Sequence, residues 1–260
     1  MTVISVNKID IDYKDSGRGE VLVFLHGLGS TKKDWDFQVP FFSNYYRVIC
    51  LDLRGHGKTS IPINEFGVEY MSEDVIQLLD ALGIDKFTPI GYSMGGAVAF
   101  QLAYSYPERI NNLVIVNSGP DFNKMGKIGE ELIANRTAFL KMNGLDALAN
   151  EIANNMFPEP QQVDFRRSFE ERIKQNSVES YYNSFITLMN WGLGDKIKSI
   201  KARTLIVASD MDYTPVSFKE DYSANMQNAK LKVIKNSRHG IVVDQWEAFN
   251  QELYNFLSHE

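Results

Sequence analysis

The sequence predicts an α/β fold, a doubly wound and mostly parallel sheet carrying one helical insertion. Short apolar runs that stop at a glycine or a polar residue recur along the chain, and helical periods separate them. Runs of that length suit strands buried on both faces of a parallel sheet, and strand–helix alternation implies right-handed crossovers. The alternation breaks once, from about Pro120 to Lys196, where helical periods continue without an apolar strand run. With 260 residues, 44% of them hydrophobic and 23% charged, the chain can bury the core such a sheet needs.

Taken in order, the first twenty residues alternate (Val3, Ser5, then Ile9 to Tyr13) with polar turns at Asn7-Lys8 and Gly17-Arg18-Gly19, which reads as two antiparallel strands. Buried strands follow at Val21–Leu25, Val48–Leu51, Phe87–Ile90, Leu113–Val116 and Leu205–Ala208, with a last strand at Leu231–Ile234. Val75, Leu78, Leu79 and Leu82 fall at i, i+3, i+4 and i+7 with Gly83 as the stop; Met94 to Tyr106 forms a helix closed by Pro107. Trp246, Phe249, Leu253, Phe256 and Leu257 make a C-terminal apolar stripe. Pro89 conflicts with its central strand, because it removes a ladder N–H. Between the core segments, 1–119 and 197–260, residues 120–196 contain the periods Phe165/Phe169/Ile173 and Tyr181/Phe185/Leu188/Met189 and read as a lid over the sheet's C-terminal edge, where ligands bind in open α/β sheets.

Composition narrows the function. Lys+Arg 27 against Asp+Glu 33 gives a net charge of −6, so nucleic acid is not an expected partner. No stretch approaches 18 apolar residues and no membrane span is expected; the first residues, from Met1, lack signal-peptide architecture, which predicts a cytoplasmic protein. Cys50 is the single cysteine and reads as inert core; no metal or cofactor is expected.

Gly91-Tyr92-Ser93-Met94-Gly95 matches G-x-S-x-G at a strand–helix junction, where a sharp turn presents the hydroxyl above the sheet at the positive end of the helix. A serine hydroxyl is a weak nucleophile and needs a base oriented by a third group. Of His26, His56, His239 and His259, His239 follows the last strand on a loop returning to the same edge and is the best base. The orienting acid should end the preceding strand, where Asp210 and Asp212 compete. The Met94 N–H and the Leu28 N–H, in the loop His26-Gly27-Leu28-Gly29, can hold an oxyanion.

These segments, with Asp52-Leu53-Arg54-Gly55-His56-Gly57, resemble the α/β-hydrolase superfamily, in particular its small, lid-bearing serine hydrolases, over nearly the whole chain. The resemblance implies Ser93 as nucleophile, His239 as base, and Leu28 and Met94 as oxyanion donors. It favours Asp212 as the acid, although Ser209 replaces the glycine of the family's G-x-x-D pattern. It makes Asp52, Arg54 and His56 scaffold. Epoxide hydrolases and haloalkane dehalogenases carry aspartate at the elbow, proline iminopeptidases a different oxyanion loop, and C–C hydrolases usually a tryptophan where Gly240 stands. Carboxylesterases and enol-lactonases are the branch that the chain is most similar to.

The expected activity is hydrolysis of a small ester or lactone substrate by acyl transfer, rising with pH through roughly 6 to 7 as the histidine becomes neutral. Two rivals stand beside it. One uses the same triad for C–C hydrolysis, elimination or perhydrolysis of a small carboxylic acid; the other is a slow-turnover receptor. An anionic substrate would need a cation such as Arg136, Arg166, Arg167 or Arg172. Lid side chains Phe139, Met142, Met156, Phe157, Tyr181 and Tyr182 could line the pocket or form lid core. Oligomeric state is not legible.

Overall fold

Thr2–Val6 (β1) and Ile9–Ser16 (β2) pair antiparallel through Asn7-Lys8, both at positive φ (48° and 63°), the conformation that matches a two-residue hairpin to strand twist. The computed structural model describes residues 2–61 and 64–258; Met1 and His259 lie outside them. The remaining strands are Val21–Leu25 (β3), Arg47–Leu51 (β4), Thr88–Tyr92 (β5), Asn112–Val116 (β6), Arg203–Ser209 (β7) and Ala229–Ile234 (β8). They form one eight-stranded sheet in the order β1-β2-β4-β3-β5-β6-β7-β8. β2 joins β4 antiparallel and every pair beyond is parallel.

Alternate residues of β3 enter opposite layers: Val21, Val23 and Leu25 pack in one core, Leu22 and Phe24 in the other. The helices are Val39–Phe42 (α1), Val68–Ala81 (α2), Met94–Ser105 (α3), Gly126–Met156 (α4), Val163–Lys174 (α5), Val178–Met189 (α6), Val216–Ser223 (α7), Ile241–Asp244 (α8) and Trp246–Ser258 (α9). α2 and α3 cover the first face through Val75, Leu78, Leu79, Val98 and Leu102. Phe42 of α1 with Phe249 and Leu253 of α9 cover the second.

Pro89 is accommodated at a break in the β5–β6 ladder. Phe87 opposes Ile110 and Ile90 opposes Val114, so three steps on one strand meet four on its neighbour. The extra residue interrupts pairing where the missing N–H would count.

The expected break in alternation is real: between β6 and β7 the described residues form only helices, 3₁₀ turns and one isolated bridge. Sequence periodicity located α5 and α6 but not α4, whose two halves meet at Gly144 (φ 80°, ψ 175°) and change facing direction there. A glycine tolerates that backbone and a side chain would not.

Candidate active site

β5 runs into α3 through Ser93, at φ 53° and ψ −117°, a strained conformation for a residue with a side chain. Glycines make room for it. A Cβ at Gly91 would overlap the Gly95 carbonyl oxygen, and one at Gly95 the Leu25 carbonyl oxygen. Ser93 N–H donates to Val116 O at 2.9 Å, and Ser118 Oγ donates to Ser93 O at 2.7 Å, so β6 holds the turn from the side.

His239 comes from the loop after β8 and is 7% exposed. Its Nε2 lies 2.9 Å from Ser93 Oγ and its Nδ1 2.5 Å from Asp212 Oδ1. A carboxylate can only accept at Nδ1, so that nitrogen carries the proton and Nε2 presents a lone pair to the Ser93 hydroxyl. The structure thus brings Ser93, His239 and Asp212 together. Asp210 sits apart, its Oδ1 accepting from Ser237 N–H at 3.3 Å.

The Asp212 carboxylate is saturated. Oδ1 also accepts from Tyr213 N–H at 2.8 Å, and Oδ2 accepts from Lys219 Nζ at 2.6 Å and Thr214 Oγ1 at 3.1 Å. Burial alone would raise this carboxyl, but the His239 and Lys219 contacts outweigh it and hold it at about 2. Lys219 is fully buried and donates further to Thr214 O at 2.6 Å and to Thr214 Oγ1. Sequence reasoning missed it: a lysine seven residues after the acid, on a short helix, reads as surface charge.

Asn117, also missed, stands at positive φ (43°) at the end of β6. Its Nδ2 donates to His239 O at 2.9 Å and Ser209 Oγ at 2.7 Å, while its Oδ1 accepts from Ser209 N–H at 2.8 Å. One amide therefore ties β6, β7 and the histidine loop together. The only sequence signal was its place at the carboxyl end of a strand.

The loop after β3 is fixed by Asp34, which accepts from Gly27 N–H at 3.2 Å and Ser30 Oγ at 2.5 Å. Arg172 of α5 pairs with the same carboxylate at 3.2 Å, and Asn176 Nδ2 donates to Gly29 O at 2.7 Å. Among the described residues the Leu28 N–H has no acceptor. Met94, as first residue of α3, has an N–H without a partner inside the helix.

His26 and His56 lie elsewhere. Leu53 N–H donates to His26 Nε2 at 2.9 Å while His26 Nδ1 donates to Gly27 O at 2.8 Å; burial drives this imidazole down to about 4 and His56 to about 3. Arg54 forks onto Asp74 with Nε–Oδ2 at 2.6 Å and Nη2–Oδ1 at 2.5 Å, and Asp52 accepts from the Lys32 and Lys58 backbone. None of these lines the cavity beside Ser93. Cys50 is buried, and burial pushes its thiol well up.

Ser93, Asp212, His239 and Leu28 open onto a cavity of about 560 Å³, within the range of small-molecule sites. The helices between β6 and β7 supply much of its wall. Of the six lid side chains in question, Met156 and Tyr181 line it; Phe157 is buried in core, Phe139 and Tyr182 pack against that core, and Met142 is 82% exposed, serving neither purpose. Tyr213 stacks on the His239 ring at 4.4 Å. Among the described residues no helix is long and apolar enough to cross a membrane.

A family model described as alpha/beta hydrolase fold matches residues 20–245. The chain is 29% identical over 255 residues to 3-oxoadipate enol-lactonase 2 of Acinetobacter baylyi, covering 95% of this chain and 92% of that one. It is also 29% identical over 263 residues to the 2-hydroxy-6-oxo-6-phenylhexa-2,4-dienoate hydrolase of Burkholderia cepacia, covering 95% and 91%. Among solved structures, the enol-lactonase from Burkholderia xenovorans superposes with a TM-score of 0.92 over 99% of this chain and 100% of that one; at 21% identity this speaks for the fold alone.

Proposed function

Because the chain belongs to the α/β-hydrolase family, we propose that it is a serine hydrolase cleaving small carboxylic esters or lactones by acyl transfer. The observation that carries this reading is the continuous relay from Ser93 Oγ to His239 Nε2 (2.9 Å) and from His239 Nδ1 to Asp212 Oδ1 (2.5 Å), beside unpaired backbone donors.

In the proposed reaction Ser93 Oγ attacks the substrate carbonyl carbon as its proton passes to His239 Nε2. The imidazolium is stabilised by the ionised Asp212, which keeps its own charge. Negative charge developing on the carbonyl oxygen is met by the Leu28 and Met94 N–H groups, the second at the positive end of α3. On collapse, His239 returns the proton to the leaving alkoxide; in a lactone that oxygen stays attached to the acyl chain. Water, deprotonated by the same Nε2, then releases the acid and restores Ser93. Residues 120–196 act as the lid that walls the site from water, with 1–119 and 197–260 as the core.

Relatives include enol-lactonases and C–C hydrolases, and one triad can serve either bond. Initial rates on p-nitrophenyl esters from acetate to octanoate, for wild type and Ser93→Ala, separate the readings. Ester hydrolysis predicts fast turnover in the wild type and a loss on the order of 10³-fold or more in the variant. Rates at background in both proteins would overturn it in favour of a C–C bond substrate or a binding role.

A further inference from the structure

The four arginines between β6 and β7 have different fates. Arg166 donates to Phe157 O at 3.0 Å, Arg167 pairs with Asp164 at 3.5 Å, and Arg172 pairs with Asp34 at 3.2 Å. Arg136 alone of the four lines the cavity, and among the described residues it has no carboxylate within ion-pair distance. It continues a row that starts at Met125, just before α4, and runs through Ile128 and Leu132 of α4, all lining the cavity at i, i+3 and i+7 spacing. Ile128 is 69% exposed, and Arg136 lies two turns further in, about 12 Å along the axis.

The surroundings of Arg136 connect it to the reacting centre. The guanidinium carbon lies over the Phe185 ring at 4.9 Å and the group also bonds the Tyr181 side chain; with five N–H donors it keeps others for a ligand. Its charge acts on Tyr181, which packs against Gly29 of the loop after β3, and on Tyr213, which stacks on His239. Other charges at the cavity wall are matched: Lys124 faces Asp121 at 3.7 Å, and Asp212 is held by Lys219 and His239. An apolar chamber with one unmatched planar cation favours a ligand with an apolar body and a planar anion.

We propose that Arg136 is the anion-recognising group of this site and that the substrate is an ester or lactone bearing a carboxylate away from the reacting carbonyl, an assignment that rests on the acyl-transfer reading above. The guanidinium edge pairs the carboxylate through two parallel N–H···O bonds, and its position near Tyr181 and Tyr213 sets how far that carboxylate stands from Ser93.

The test compares mono-p-nitrophenyl adipate with its methyl ester, which keeps the same diacid chain and replaces the distal charge by a neutral group one methyl larger. Wild type should favour the acid in kcat/KM, and Arg136→Met should collapse the acid-to-ester ratio about tenfold or more, with Arg136→Lys intermediate. Equal kcat/KM for the two esters in wild type, or the same ratio in wild type and Arg136→Met, overturns the assignment. If neither ester turns over, the acyl-transfer reading fails, and the anion site is decided by titrating monomethyl adipate into Ser93→Ala protein. Binding weakened about tenfold by adding Arg136→Met supports the site; absent binding, or binding indifferent to Arg136, removes it.

Discussion

Lys219 Nζ lies 2.6 Å from Asp212 Oδ2, the oxygen that His239 does not use, with both side chains buried. The acid of the relay therefore has a positive partner on each side, one permanent and one that appears when His239 is protonated. A lone carboxylate at this depth would resist ionisation; the ammonium keeps it charged so that it can orient the imidazole.

Removing the ammonium should leave an uncompensated buried charge. Lys219→Met is expected to lower stability by about 3–5 kcal/mol, measured by urea unfolding at neutral pH. A loss within 1 kcal/mol would show that the pair contributes little.

The depressed Asp212 carboxyl makes stability depend on acid. Its folded value of about 2 lies below its ordinary 3.8, so its contribution is present above pH 3.8 and is lost as pH falls toward 2. The shift corresponds to about 2 kcal/mol. Asp212→Asn should remove this component, so the stability difference between wild type and variant should narrow by about that amount between pH ~4 and ~2. A difference constant across that window would contradict the assignment.

The Arg172–Asp34 pair joins α5 to the loop carrying Leu28. Arg172→Met should cost about 3–5 kcal/mol, because Asp34 stays buried without the cation that offsets its desolvation, and Asp34→Asn in the same chain should recover part of it. Additive losses in the double-mutant cycle would mean that the two side chains act independently.

Gly95 has no space for a side chain, since its Cβ would meet the Leu25 carbonyl of the neighbouring strand. Gly95→Ala should cost about 3 kcal/mol by forcing α3 away from β3, read as a lowered Tm. A near-wild-type Tm would show that the elbow is looser than its geometry implies.

The sheet was legible because burial on both faces forces continuous apolar runs, as in β3, β4 and β6, and the elbow because its glycines are sterically compelled. Ser93 and His239 were legible from a motif and from chain order. The choice between Asp210 and Asp212 was not fixed by the residues themselves, since a strand end can aim either side chain at the histidine; their contacts separate them. Lys219, Asn117 and the facing of Arg136 were hidden because each depends on packing between distant segments. α4 escaped because Gly144 resets its facing direction midway, and no single period spans it.

Trapping the acyl-enzyme tests Ser93 as the nucleophile. Wild type and Ser93→Ala would be mixed with p-nitrophenyl butyrate, quenched in acid within the first turnovers, and read by intact-mass and peptide mass spectrometry. An added butyryl group is expected on the peptide containing Ser93 in wild type, and none in Ser93→Ala. An adduct that persists without Ser93, or p-nitrophenol release by Ser93→Ala at the wild-type rate, would contradict Ser93 as the nucleophile.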